Sequence, residues 1–388
     1  KNAQMFAGHP LLAFSIAAGL QAKGVTRTIV STDDASMAEI AIQYGAEAPF
    51  LRPAELAEDD TLDLPVFQHA LGWLSKEEGY KPEIVVQLRP TSPLRPRDLV
   101  DRAIDTLQQN KAADSVRGVV PAGQNPYKMW RVDGDGGMQP LLKAKGIAEP
   151  YNAARQNLPQ TYWQTGHVDV IRASTITKKN SISGENIWPV LIDPRYTVDI
   201  DTQKDWRWAE WLPTSGELDL VWPGKTPRPF PKKVKLLVMD FDGVLSDNRV
   251  WIDENGQEQI AANRSDGLGI EMLLKAGVEA MVISMEENQV VARRCEKMGI
   301  PYMKGIENKG KALQEELVKR GLDAKEVVFL GNDTNDLPCF PIVGCAIAVP
   351  DSHPDVLRQA DLILTKRGGH GAVRELCDLI LATVSRGE

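Results

Sequence analysis

A chain of 388 residues exceeds what one hydrophobic core usually serves, and 43% hydrophobic with 25% charged residues describes an ordinary globular protein of two domains. The formal net charge of −8 excludes a surface that wraps a nucleic-acid backbone, and no apolar run approaches the roughly 18 residues of a membrane span. Cys295, Cys339, Cys345 and Cys377 form no C-x-x-C pair and the five histidines are scattered, so a disulfide framework and a zinc site have no support, and a cytoplasmic enzyme is expected.

Apolar runs of strand length alternate with helical patterns, which predicts an α/β fold with parallel sheets covered on both faces. A helix is expected from Pro10, with Leu12, Ile16 and Leu20 on one face and Gly24 as its stop. Strands are expected over 26–31, 83–88, 115–120, 168–172 and 197–200. Residues 212–233 carry Pro213, Pro223, Pro227, Pro229 and Pro231 with no surviving periodicity, and read as a linker between domains spanning 1–211 and 234–388. A second α/β run follows, with strands over 234–239, 279–283, 327–330 and 362–364.

The first strand of that second run ends in Asp240-Phe-Asp242-Gly243. Spacing of two points both carboxylates one way, at the carboxyl end of a parallel strand where α/β sheets place their sites. Two convergent carboxylates repel unless a cation such as Mg²⁺ offsets them. Upstream, 197–202 places Asp199 and Asp201 opposite Val198 and Ile200, a second carboxylate pair that asks for a cation. Pro90 and Pro93 stiffen a loop that carries Arg89, Thr91, Ser92 and Arg95, and the planar guanidiniums of Arg52, Arg89, Arg95 and Arg155 suit carboxylate or phosphate.

The segment Asp240-Phe-Asp242-Gly243-Val-Leu, with Ser284 after an apolar strand, Lys309 opening a helix, and Gly331-Asn332-Asp333-Thr-Asn335-Asp336 after another strand, resembles the haloacid dehalogenase superfamily. The resemblance implies a Rossmann-like domain in which Asp240 attacks phosphorus, Asp242 serves as general acid and base, and Ser284 and Lys309 hold phosphate. It also implies Mg²⁺ held by Asp240, Asp242 and the 332–336 acids. Asn332 stands where many relatives carry Asp, so a charged ligand has become neutral, and Asp333 or Asp336 is expected to substitute. With only a short hairpin over 249–260 as cap and the tail Gly368-Gly-His-Gly371-Ala-Val-Arg374-Glu375, the domain is most similar to the 3-deoxy-octulosonate-8-phosphate phosphatases, which implies a tetramer whose chains close one another's sites.

Over 1–211, Val30-Ser-Thr-Asp33-Asp34, Phe50-Leu-Arg52-Pro53 and Pro90-Thr-Ser92-Pro-Leu-Arg95 resemble acylneuraminate cytidylyltransferases. That implies a nucleotidyltransferase-like sheet, dimerisation through this domain, CTP and an acidic nonulosonate as substrates, Mg²⁺ on Asp199 and Asp201, and sugar contacts from Arg155 and Gln156. The family shows Gln where Arg89 stands, and Trp163-Gln-Thr-Gly166-His167 departs from its commoner E-N-G-A. Relatives open with a strand and a Gly-rich basic loop closing in Lys-Asn, and this sequence opens on Lys1-Asn2, so those elements are expected ahead of it. Two alternatives stay open: a C-terminal domain that chiefly assembles tetramers, and a phosphatase whose N-terminal domain is a nucleotide-binding remnant.

Overall fold

The computed structural model describes all residues except 59, 199, 216–217, 225–226 and 385–388. It contains two compact units: Lys1–Gln4, Leu11–Ala209 and Leu218–Pro223 form one, and Met5–Pro10, Glu210–Glu217 and Gly224–Glu388 the other. Among the described residues no helix is long and apolar enough to cross a membrane.

In the second unit six parallel strands run in the order Tyr302–Met303, Glu279–Ile283, Leu236–Met239, Val327–Gly331, Cys345–Ala348, Leu362–Ile363. Alternation along each strand divides two cores. Leu237, Met239, Val282, Val328 and Leu330 pack under the helices Arg264–Lys275, Gln289–Met298 and Ala372–Val384, while Leu236, Val238, Met281, Val327 and Phe329 pack under Lys309–Arg320. All four cysteines are buried as thiols. The edge strand at Tyr302 and the internal strand at Cys345 lie outside the expected set; the first holds only two residues.

The first unit carries a four-stranded sheet in the order Ile84–Gln87, Tyr162–Arg172, Ser115–Pro121, Ile187–Leu191. It is mixed rather than parallel, because Tyr162–Arg172 runs antiparallel to both neighbours. The chain reaches that strand from Pro121 through a loop with one small hairpin, Trp130–Val132 against Met138–Pro140, and no crossover helix demands a parallel return. Helix Leu99–Gln109 covers the sheet with Leu99, Ala103, Ile104 and Leu107.

Three expectations are corrected here. The helix near Pro10 spans Leu11–Gln21 and is buried on nearly all sides, with Leu20 left 49% exposed, so it is an internal helix and not an amphipathic one. Residues 26–31 form only one isolated bridge, Ile29 to Glu47, with a second just beyond them from Thr32 to Leu51. Thr197, Val198 and Ile200 carry no strand pairing either: they lie between the turn Pro194–Tyr196 and a helix from Gln203, and the Ile200 N–H reaches Thr91 O at 2.9 Å, while residue 199 of the expected strand lies outside the described residues. Val198 and Ile200 are buried as anticipated.

Within the proline-rich stretch both ends are docked. Val221 N–H donates to Arg95 O at 2.8 Å and the Trp222 ring meets Phe14 edge-on at 5.0 Å in the first unit. Arg228 belongs to the second unit, where it pairs with Asp361 at 2.6 Å and donates to Phe340 O at 2.8 Å.

Candidate active site

In the second unit the register of three adjacent strands sets the geometry. Met239 lies opposite both Val282 and Leu330, so Asp240, Ser284 and Asn332 follow the carboxyl ends of neighbouring strands on one edge of the sheet. Asp240 is 5% exposed and its N–H is held by Leu330 O at 2.9 Å. Lys309, fully buried at the first turn of its helix, places Nζ 2.8 Å from Asp240 Oδ1 and 2.7 Å from Asp336 Oδ1. Ser284 is buried, and its Oγ accepts from Glu286 N–H at 3.0 Å.

Asp336 is committed to this framework. Its second oxygen accepts from the N–H of Asn332 at 2.8 Å and of Asp333 at 3.3 Å, which fixes the loop and takes the residue out of the set free to bind a metal. Asp333 is exposed and its carboxylate accepts from Thr334 N–H at 2.7 Å. Asn332 is different: it is 7% exposed and its Oδ1 has no partner among the described residues.

Burial, reinforced by the charge of Asp336 and opposed by Lys309, pushes the Asp240 carboxyl up to about 7. Burial also raises Asp242, against a hydrogen bond from Ser246, with Glu286 and Glu258 adding to the rise. Burial lowers Lys309, but Asp240 and Asp336 more than offset it, so its affinity for the proton ends up raised. Asp240, Asp242 and Asp336 thus set three carboxylates against one ammonium, and the remaining acceptors are hard oxygens. That set fits Mg²⁺, which binds through one or two carboxylates together with oxygens of a phosphate substrate. Among the described residues no three His, Cys, Asp or Glu side chains form a ready cage, in keeping with Asp336 being tied to Lys309.

Beside Asp242 opens a cavity lined by Phe241, Asn248, Val250, Glu258 and Glu286. The sequence reading missed Glu258, Glu286 and Ser246. Only Ser246 had a local signal, a hydroxyl four residues after Asp242. A second, more open hollow beside Arg102, Asp105 and Leu191 in the first unit holds none of the candidate residues.

In the first unit the arginine expectations change. Arg89 donates to Asp169 at 2.6 Å and Asp63 at 2.9 Å, and Asp169, fully buried, is also paired with Arg117 at 2.5 Å. Arg95 is fully buried, donating Nε to His167 O at 2.7 Å and Nη2 to Arg89 O at 2.6 Å, and burial lowers its pKa to about 9. Both guanidiniums are engaged in framework contacts, although Arg95 Nη1 has no partner among the described residues and the Arg89 side chain stays 32% exposed. Ser92 is buried, and its Oγ leaves only glycine room at position 166, where a β-carbon would come within 2.6 Å of it. Lys1 Nζ donates to Ile200 O, and Asn2 O accepts from Leu12 N–H at 2.9 Å. Arg52 faces Asp33 at 3.5 Å. Arg155 and Gln156 are exposed in a short turn, with Arg155 Nη2 on Ala122 O at 2.8 Å. Asp201 is exposed, and Asp199 lies outside the described residues.

A cytidylyltransferase family model matches residues 1–132, and a haloacid dehalogenase-like hydrolase model matches 294–376. The chain is 27% identical over 384 residues to N-acylneuraminate cytidylyltransferase A of Danio rerio, covering 98% of this chain and 85% of the relative. It is 38% identical over 151 residues to 3-deoxy-D-manno-octulosonate 8-phosphate phosphatase of Escherichia coli, covering 39% of this chain and 80% of that enzyme. Among solved structures, the same phosphatase from Moraxella catarrhalis, in complex with magnesium, phosphate and KDO, shares 35% identity at a TM-score of 0.38, covering 39% of this chain and 88% of that one.

Proposed function

We propose, for a chain that belongs to the 3-deoxy-D-manno-octulosonate 8-phosphate phosphatase family through its C-terminal part and carries a cytidylyltransferase domain ahead of it, a two-step role in activating an acidic sugar. The phosphatase half removes phosphate from a nonulosonate-type sugar phosphate, and the transferase half joins CMP from CTP to the acidic sugar with release of pyrophosphate. The observation that carries the first half is Lys309 Nζ shared between buried Asp240 and Asp336 on the strand edge that also presents Asp242, Ser284 and Asn332. The second half is supported by the cytidylyltransferase match and the long alignment to the Danio rerio enzyme.

Asp240 attacks phosphorus: its bond to phosphorus forms as the ester P–O bond breaks, and the departing sugar oxygen takes a proton from Asp242. Lys309 and the Ser284 hydroxyl hold the phosphoryl oxygens while Asp240 is aimed at them. Asp242 then takes a proton from water as the water oxygen bonds to phosphorus and the bond from Asp240 to phosphorus breaks, which releases inorganic phosphate and restores the Asp240 carboxylate. When bound, Mg²⁺ would be held by Asp240 and the Asn332 amide oxygen and would supply neutralising charge at the phosphoryl group, with the Asp242 carboxyl kept for proton transfer.

In the transferase half Lys1, Asn2, Arg52, Arg155 and Gln156 stay in the proposed nucleotide and sugar surface, with Asp199 and Asp201 as a second Mg²⁺ pair, while Ser92 is fully buried beneath it. Arg89 and Arg95 support it from beneath. Homo-oligomers are proposed for both halves; the hairpin residues Trp251 and Ile252 are 70% and 67% exposed in the single chain, which supports burial in an assembly.

The test uses the full chain with Mg²⁺. Phosphate release from a panel of sugar phosphates, lost on Asp240→Asn, is expected, as is pyrophosphate release from CTP with a panel of nonulosonic acids. Absence of phosphate release from every member removes the phosphatase and favours an assembly role. Absence of pyrophosphate removes the transferase.

A further inference from the structure

The turn after Asp242 is knotted around one hydroxyl. Ser246, fully buried, accepts through Oγ from the N–H of Gly243 at 3.3 Å and of Asn248 at 3.4 Å, and donates to Asp242 Oδ1 at 3.2 Å. A hydroxyl has two acceptor lone pairs and one proton. With both lone pairs taken by backbone, the proton is left for the carboxylate. Asp242 Oδ1 is thereby occupied, and Oδ2 has no protein donor among the described residues.

The C-terminal glycine loop braces the same turn from outside. Gly369 N–H donates to Val244 O at 2.9 Å, and a β-carbon on Gly368 would lie 1.8 Å from Gly243 O and 3.2 Å from Ser246 O. Asp242 and Asn248 line the cavity where a leaving group has room to sit.

We propose that Ser246 is a positioning residue that fixes which oxygen of Asp242 serves the departing alcohol: Oδ1 is held by the serine, and Oδ2 transfers the proton as the ester bond breaks. The inference rests on the phosphatase reading above. A serine that orients a general acid matters most when the leaving oxygen is too basic to depart alone, whereas one that only packs affects every substrate alike.

The experiment compares phenyl phosphate with p-nitrophenyl phosphate, which share an aryl ring and differ in the basicity of the departing oxygen, in wild type, Ser246→Ala and Ser246→Thr. For Ser246→Ala, kcat on phenyl phosphate is expected to fall roughly tenfold more than on p-nitrophenyl phosphate, with KM little changed for either, and Ser246→Thr restores the ratio. An equal loss on both esters, or none, overturns the proposal while leaving the phosphatase intact. A wild type inert toward both esters and toward the sugar-phosphate panel fails the phosphatase reading itself. Thermal melts accompany each variant; should the alanine chain not fold, Ser246→Cys, close in volume and a weak donor, carries the same comparison.

Discussion

The amide of Asn332 occupies the space that a side chain on Gly243 would fill: a β-carbon there would stand 2.0 Å from Asn332 Nδ2, and Gly243 has φ of +76°. Both the left-handed backbone and the amide demand glycine. Gly243→Ala is expected to displace Asn332 and the Asp242 turn together, cutting phosphatase kcat by roughly a hundredfold for a misplacement on the order of 1 Å. Pyrophosphate release by the transferase half is the internal control, and equal loss of both activities would contradict a local effect.

Asn332 itself is a neutral group among carboxylates. Asn332→Asp adds a charged oxygen ligand, and since ligand charge tunes divalent-cation affinity, the Mg²⁺ concentration for half-maximal phosphatase activity is expected to drop by roughly tenfold. A Mg²⁺ titration of both proteins reads this directly, and a rise instead of a drop would remove Asn332 from the proposed ligand set.

Lys309 separates two buried carboxylates. Lys309→Met leaves Asp240 and Asp336 without their cation and is expected to destabilise the second unit by about 3–5 kcal/mol, with loss of phosphate release. Denaturant titration checks the first and turnover the second. A second substitution, Asp336→Asn, should recover part of the stability without recovering activity.

Arg89 and Arg95 are expected to fail as substrate contacts and to matter as framework. Arg89→Gln leaves fully buried Asp169 with only Arg117, at a cost of about 2–4 kcal/mol. The KM for CTP in the folded fraction is expected to stay within roughly threefold of wild type, since a framework group contributes little uniform binding of substrate. A large rise in KM with unchanged stability would return Arg89 to the nucleotide site.

His167 supplies a pH signature. Burial, with Arg95 nearby as the second cause, lowers its pKa from 6.5 to about 4. Folding therefore excludes a proton that the unfolded chain accepts below about pH 6.5, so stability is complete above that pH and declines as pH falls toward 4. The contribution is on the order of 3 kcal/mol across that window. His167→Gln, which retains a donor for Tyr196 O, should flatten the decline in melting temperature between pH 7 and pH 4.5.

The chemistry of the second unit was legible in sequence because its signals are local. An apolar strand running into two acids and a glycine, a hydroxyl at the end of the next strand and a lysine at a helix start each declare themselves within a few residues. The unbroken apolar runs Leu236–Met239 and Val327–Gly331 then require helices on both faces. Tertiary structure alone decided which charged groups meet. Arg89 finds Asp169 across 80 residues, Arg95 finds His167 O across 72, and Asp336, read as a metal acid, is claimed by a lysine 27 positions earlier. A long, flexible cation pairs with whatever the fold brings near it, and that partner is set by strand order and direction, which nothing in the local pattern around an arginine encodes.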